Sequence, residues 1–148
     1  MEQVDALLAE FVESLALTPA AVVDARWDVV ASNALARAVS PSLAVGTNLA
    51  EATLLGGSAR RTLREWDVVA TRMADLLARP LSRDDDTTPL HGLTVAMEHP
   101  EVGRLDLTYE LLRVTGAEQT VILGHAAVAS ESERRLLTLA ARLGPAAR

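Results

Sequence analysis

The sequence predicts an α+β domain in which helices cover a five-strand antiparallel sheet, with a further helix at each end of the chain. Residues 104–111 carry the clearest signal, because apolar and polar side chains alternate there without exception, as in a strand with one buried face. Strand-like runs precede and follow this segment, and turns at 99–103 and 116–119 connect the three into a meander. Helical periodicity elsewhere in the chain supplies the covering layer.

The N-terminal part predicts one helix and a hairpin. In the first helix the apolar residues recur at spacings of three and four, and we expect most of them to face the core: Val4, Leu7, Leu8, Phe11 and Leu15. The helix should end near Leu17, because Thr18 precedes a proline and is pushed out of the helical region. Two short apolar runs, 20–24 and 27–31, then predict the first two strands.

The middle of the chain is predicted to be helical. Ser32-Asn33 offers an N-cap for a short helix over 34–39, and Thr47 or Asn48 can begin a second one that Gly56-Gly57 ends. The longest helical pattern covers 59–78, before Pro80. Residues 81–89 show no periodicity, so they predict a loop that leads into the meander.

The C-terminal part predicts a central strand and a final helix. Residues 120–128 are apolar at nearly every position, which is typical of a strand that is covered on both faces. Ser130 and Glu133 fit a capping box, in which each side chain accepts a hydrogen bond from the other residue's backbone N–H. The helix that follows should end at Gly144-Pro145.

Composition excludes several classes of function. The chain has 148 residues and no cysteine, which excludes disulfides, thiolate catalysis and cysteine-based zinc sites. Its net charge of -6 argues against direct binding of nucleic acid by this segment. No apolar run is long enough to cross a bilayer, and the acidic start does not resemble a signal peptide. We therefore expect a single cytoplasmic domain over residues 1–148.

The predicted order of elements is the layout of PAS-type domains, which commonly hold a small ligand between helices and sheet. Within it, residues 19–33 resemble the opening of the ligand-binding domain of MmyB-like transcription regulators. Asn48-Leu49, Trp66 and above all the run His-Pro-Glu-Val-Gly-Arg-Leu-Asp-Leu-Thr-Tyr-Glu at 99–110 are similar to the family's pattern. The resemblance covers 19–78 and 99–143.

This resemblance implies a function. Such regulators place a helix-turn-helix DNA-binding domain before a PAS-like sensor domain, whose pocket is thought to accept fatty-acid-like ligands. Residues 1–18 predict one acidic helix rather than a helix-turn-helix, so we expect the sensor domain without its DNA-binding domain. The implied protein is not an enzyme and uses no cofactor, although it would hold a bound fatty acid.

Ten residues are the predicted walls of the pocket. They come from the long helix (Leu63, Trp66, Ala70 and Met73) and from the sheet (Leu105, Leu107, Tyr109, Val121, Leu123 and His125). Tyr109 and His125 would supply the polar contacts that orient a ligand, and Gly124 would let a group approach the backbone closely. The same set also fits an ordinary packed core, in which His125 is a hydrogen-bonded core histidine.

A second candidate site could hold the carboxylate of a fatty acid. Ser58, Arg60 and Arg61 follow two glycines at a predicted helix N-terminus, where backbone N–H groups and guanidiniums attract anions. The alternative is a helix cap followed by solvated arginines.

Other site chemistry finds less support in the sequence. The spacing of His91, His99 and His125 and of the aspartates at 84–86 fits no metal signature, and His99 is better placed to organise its turn. No Gly-x-Ser-x-Gly elbow is present. Four carboxylates could meet across strands, although such residues usually form a solvated sheet face: Asp24, Asp28, Asp106 and Glu110.

Two functions besides ligand sensing stay open at this point. One is a dimerisation or protein-interaction module with a solid core, and the other is a small α+β enzyme that acts on an apolar substrate. The apolar stripes of the first and last helices predict a homodimer in addition to a core, because flanking helices of PAS-type domains often pair between subunits.

Overall fold

The computed structural model describes residues 3–78, 93–114 and 116–144. The predicted loop at 81–89, with its three aspartates, and His91 lie outside these ranges. The elements are, in order, α1 (Ala6–Ser14), β1 (Ala20–Val23), β2 (Val29–Ser32), α2 (Ala34–Val39), a 3₁₀ turn (Pro41–Leu43), α3 (Leu49–Leu55), α4 (Gly57–Thr62), α5 (Trp66–Ala78), β3 (Leu93–His99), β4 (Gly103–Arg113), β5 (Thr120–His125) and α6 (Glu131–Leu143).

The five strands form one antiparallel sheet in the order β2-β1-β5-β4-β3. This arrangement confirms the predicted α+β class and is consistent with the PAS-like fold. β5 lies at the centre of the sheet, as its continuous apolar sequence predicts. Helix α1 covers the outer face of β1, β2 and β5, while the other helices cover the inner face.

The turn between β1 and β2 is longer than the sequence suggests. Trp27 was expected to begin the second strand, but it sits in the turn with a φ of 68°, and β2 starts at Val29. The reason is Asp24, whose carboxylate accepts hydrogen bonds from the backbone N–H groups of Arg26 and Asp28, both at 3.0 Å. Such a side-chain bond replaces strand pairing with a local turn.

The predicted helix over 59–78 is two helices in the structure. Leu63 is extended, with φ −83° and ψ 122°, and it forms an isolated β-bridge with Met97. The next N–H group, that of Arg64, donates to the carbonyl of Ala96 at 2.9 Å. Pairing with β3 therefore interrupts the helix, and a local periodic pattern carries no trace of such a long-range contact.

Helix α1 is shorter than predicted, and some of the residues that face the core differ from the predicted ones. It begins after Asp5, whose carboxylate accepts from the N–H groups of residues 7 and 8, and it ends at Ser14. Val12 is its fully buried residue, whereas Leu7 and Phe11 are 75% and 47% exposed. The expectation that Leu7 and Phe11 belong mainly to the core is wrong, because α1 packs through Leu8, Val12 and their neighbours.

Asn33 joins three elements through its buried side-chain amide. Its Oδ1 accepts from the N–H of Ala36, which caps α2, and from the N–H of Ala20 in β1, at 2.9 and 3.2 Å. Its Nδ2 donates to three carbonyl oxygens in the last turn of α1 and just after it: Val12 (3.2 Å), Leu15 (2.9 Å) and Thr18 (2.7 Å). The cap was predicted, but the link to α1 was not.

The capping box of α6 differs from the prediction in one bond. Ser130 Oγ accepts from the N–H of Glu133 at 3.1 Å, as expected. The Glu133 carboxylate, however, accepts from the N–H of Ala129 at 3.2 Å. The N–H of Ser130 is not available to this carboxylate, because it donates to the carbonyl of Ala127 at 3.1 Å.

Candidate functional site

A cavity of about 780 Å³ lies between the inner face of the sheet and helices α2 to α6. Its volume is within the range of small-molecule sites, which is roughly 300–1,000 Å³. The lining is mainly apolar: Leu93, Val95, Met97, Tyr109, Leu111 and Ile122 from the sheet, with Trp27, Leu43, Leu49, Ala59, Leu63, Val69, Met73, Leu76, Leu139 and Leu143 from the helices and the segments between them. These elements leave a space in addition to the packed core.

Tyr109 reaches the cavity from the inner face of β4. Leu105, Leu107, Tyr109 and Leu111 alternate along that face, and the first two are buried in a cluster with residues of α2 and α6. Tyr109 and Leu111 continue the row beyond this cluster, where they line the cavity. The alternation of β4 therefore predicts the correct face, and only the far half of the row borders the cavity.

Burial keeps the phenol of Tyr109 protonated. Desolvation raises its pKa to about 12, because the phenolate would lose its hydration. Within the described residues, the hydroxyl of Tyr109 makes no hydrogen bond. A neutral phenol at the wall of an apolar cavity can donate one hydrogen bond to a ligand and accept another.

Three of the ten predicted wall residues line the cavity: Leu63, Met73 and Tyr109. Leu105 and Leu107 are packed core. Trp66 and Ala70 lie on α5 but are absent from the lining. The indole N–H of Trp66 donates to the carbonyl of Thr53 at 2.8 Å, so this side chain ties α5 to α3.

Residues Val121 and Leu123 face the opposite side of the sheet. They pack with Val12 of α1, while Ile122 between them faces the cavity. The sequence-based assignment of the cavity-facing residues of β5 is therefore wrong by one residue. A strand that is apolar on both faces does not show which alternate side chains point to the cavity. A signal was present in Gly124, because pairing this glycine with Tyr109 places Ile122 opposite Leu111.

His125 lies in neither of the two places that the sequence allows, the core and the wall of the cavity. Its side chain is 55% exposed on the outer face, where Nε2 lies 3.4 Å from a carboxylate oxygen of Glu110. It is thus neither a core histidine nor a wall of the cavity.

His99 organises its turn, as predicted. Nδ1 accepts from the N–H groups of Glu101 and Val102 at 3.1 and 3.4 Å. Nε2 lies 2.7 Å from the carbonyl oxygen of Ala38 and donates to it, because the other ring nitrogen is occupied as an acceptor. The imidazole therefore fastens the β3–β4 turn to the end of α2 at the edge of the cavity.

The structure does not bring the predicted anion-binding group together at the cavity. Ser58 is part of the lining, but Arg60 and Arg61 are not. The guanidinium of Arg60 lies 4.7 Å from the centre of the Trp66 ring, a cation–π contact. Arg61 folds back towards Gly57, where an added Cβ would be 3.3 Å from its Nη1.

Among the residues that the structure describes, five charged ones line the cavity: Arg37, Arg72, Asp75, Glu101 and Arg142. Arg37 donates to the backbone oxygen and, at 3.3 Å, to the hydroxyl of Ser32. Arg142 pairs with Glu101 at 3.6 Å. Neither Arg72 nor Asp75 makes an ion pair or hydrogen bond through its side chain within the described ranges.

The described residues hold no group of three His, Asp or Glu side chains that is arranged to bind a metal ion. The four carboxylates considered from the sequence all lie outside the cavity lining. No helix in the described part of the chain is long and apolar enough to span a membrane.

Residues 4–96 match the family described as the MmyB-like transcription regulator ligand binding domain. This chain belongs to that family. The matched region runs from α1 to the middle of β3, so it includes most of the helical wall of the cavity and the resemblance at 19–33. It stops before the similar run at 99–110. A comparison with curated proteins found no match.

Proposed function

We propose that this MmyB-like domain senses a mainly apolar, fatty-acid-like small molecule, which it binds in the cavity between the helices and the sheet. The observation that carries the proposal is the mainly apolar cavity of about 780 Å³ in a member of a ligand-binding family. Burial of an acyl chain there would remove apolar surface from water, which stabilises the complex. The domain binds without catalysis and acts in the cytoplasm as part of a transcription regulator.

Tyr109 is a group of the cavity wall that can hydrogen-bond to the ligand. Its neutral hydroxyl has no partner within the described residues, so it is available to a carbonyl or carboxyl oxygen of the bound molecule. A hydrogen bond made in a desolvated site also selects against ligands that cannot make it.

Occupancy of the cavity is transmitted to the flanking helices. Helix α2 contributes Ala38 and Val39 to the lining, and the amide of Asn33 at its start is bonded to the end of α1. Helix α6 contributes Leu139 and Leu143. A ligand that favours one position of α2 and α6 would therefore shift the population of states at both ends of the domain.

The flanking helices also form the contact between two copies of the domain. Leu7 and Phe11 are exposed one turn apart on α1, which gives a second copy an apolar stripe to cover. The homodimer would place two DNA-binding units in a fixed relation. This exposed stripe also favours the second candidate function, a dimerisation module without a ligand.

Calorimetry with dodecanoate separates the two functions. We expect one dodecanoate per chain, and we expect Val69→Trp to abolish binding because residue 69 lines the cavity. Val68→Trp is the matched control, since Val68 is its neighbour on α5, is exposed and is not part of the lining. Absence of binding to the wild-type domain, together with a stable dimer by light scattering, would favour the interaction module.

A further inference from the structure

The charged residues of the cavity differ in how they are satisfied. Arg37, Arg142 and Glu101 already have partners in the protein. Arg72 and Asp75 lie at the exposed edge of the same cavity, and their side chains make no hydrogen bond or ion pair with any other residue that the structure describes. These two side chains are therefore the charged groups of the lining that can serve a ligand without first breaking an existing contact.

Both residues lie on α5 at a spacing of three, which makes them neighbours on one side of the helix. The adjoining positions Val69, Met73 and Leu76 give the same helix an apolar surface towards the cavity. Helix α5 thus presents an apolar stripe with a cation and an anion at its edge. An amphipathic ligand that lies along this stripe would bring its polar end to Arg72 and Asp75.

We propose that Arg72 and Asp75 select a ligand whose polar end is uncharged and both accepts and donates hydrogen bonds, as a primary amide does. The guanidinium offers only donors and the carboxylate only acceptors, so the C=O of an amide suits Arg72 and its N–H suits Asp75. This inference rests on the proposed function, because it assigns the headgroup of the same apolar ligand.

A free carboxylate fits this pair less well. Its attraction to Arg72 is opposed by repulsion from Asp75, since the two charges lie at neighbouring positions. It also leaves the Asp75 carboxylate facing an acceptor, which it cannot bond. An amide can bond to both side chains and brings no charge that either of them would repel.

Calorimetry at pH 7.4 with dodecanamide and dodecanoate tests the inference, because the two probes share an acyl chain and differ in the headgroup. We expect the wild-type domain to bind the amide about tenfold more tightly, as one additional hydrogen bond to a charged group would give. Arg72→Ala should weaken both probes by about tenfold. Asp75→Asn should tighten dodecanoate several-fold, because the repulsion is removed, and so narrow or reverse the preference.

Asp67→Asn is the control, because Asp67 is exposed on the same helix and is not part of the lining. It should leave both affinities unchanged. Binding of both probes with affinities that do not respond to Arg72→Ala and Asp75→Asn would overturn the inference while the proposed function stands. Failure of the wild-type domain to bind either probe would overturn the proposed function, and this inference with it.

Discussion

The ring of Tyr109 lies directly against the backbone of Gly124. The two residues are paired across β4 and β5, and a Cβ atom at residue 124 would be 3.0 Å from Cε1 of the ring. An added Cβ atom at this position would require the ring to move away from the strand by a few tenths of an ångström. The position of the Tyr109 ring at the cavity therefore depends on the absence of a side chain at residue 124.

Gly124→Ala is expected to destabilise the domain by about 1–3 kcal/mol, because the added methyl group overpacks the Tyr109 contact. Urea unfolding measures the change. Gly57→Ala is the matched control: an added Cβ there meets only the flexible end of Arg61, and alanine favours the helix. Equal stability of wild type and Gly124→Ala would contradict the close contact.

Titration of the single tyrosine tests the burial of Tyr109. Its pKa is raised from 10.0 to about 12, so the folded state keeps the phenol neutral at a pH where the unfolded state ionises it. The raised pKa therefore contributes to the free energy of unfolding. This contribution is fully present below pH 10 and is lost as the pH rises through about 12. Near-ultraviolet phenolate absorbance of the folded domain should rise with a midpoint near 12, whereas a midpoint near 10 would show an exposed phenol.

Asn33→Asp separates the two halves of the Asn33 network. The variant keeps an oxygen that caps α2, but it replaces the donor to three carbonyls with a second acceptor. We expect the free energy of unfolding to fall by about 3 kcal/mol and the amides of α1 to exchange their hydrogens earlier than in the wild type. Ser130→Ala, which removes the cap of α6 and no other side-chain hydrogen bond of that residue, should cost only about 1 kcal/mol. If Asn33→Asp were as mild as this control, the network would not hold α1.

Ile122→Ala and Val121→Ala test which face of β5 borders the ligand. Both truncations remove buried side chains and should destabilise the domain, by about 1–4 kcal/mol each. Ile122 lines the cavity whereas Val121 packs towards α1, so only Ile122→Ala should change the affinity for dodecanoate. A change in affinity for Val121→Ala alone would restore the face predicted from the sequence.

Local signals predicted much of the fold. The Asn33, Asn48 and Ser130 caps, the alternation in β4 and the turn at His99 depend on interactions within a few residues, and the structure contains each of them. The break at Leu63 depends instead on pairing with Met97, more than thirty residues away, so no pattern in 59–78 reveals it.

The candidate site was less predictable for a physical reason. Packed core and cavity wall have the same apolar composition, so Leu107 and Tyr109, two residues apart on one face, could not be separated from sequence. The charged residues that line the cavity could not be predicted either. Arg60 and Arg61 stood out because they follow two glycines, but Arg72 of α5 lines the cavity and they do not.

Native mass spectrometry of the purified domain, with dodecanoate added in increasing amounts and with organic extraction of an untreated sample, tests ligand binding most directly. We expect one bound molecule per chain, either a co-purified acyl compound or added dodecanoate, and a loss of this mass shift in Val69→Trp but not in Val68→Trp. A domain that carries no extractable ligand and shows no mass shift at saturating dodecanoate would contradict this expectation.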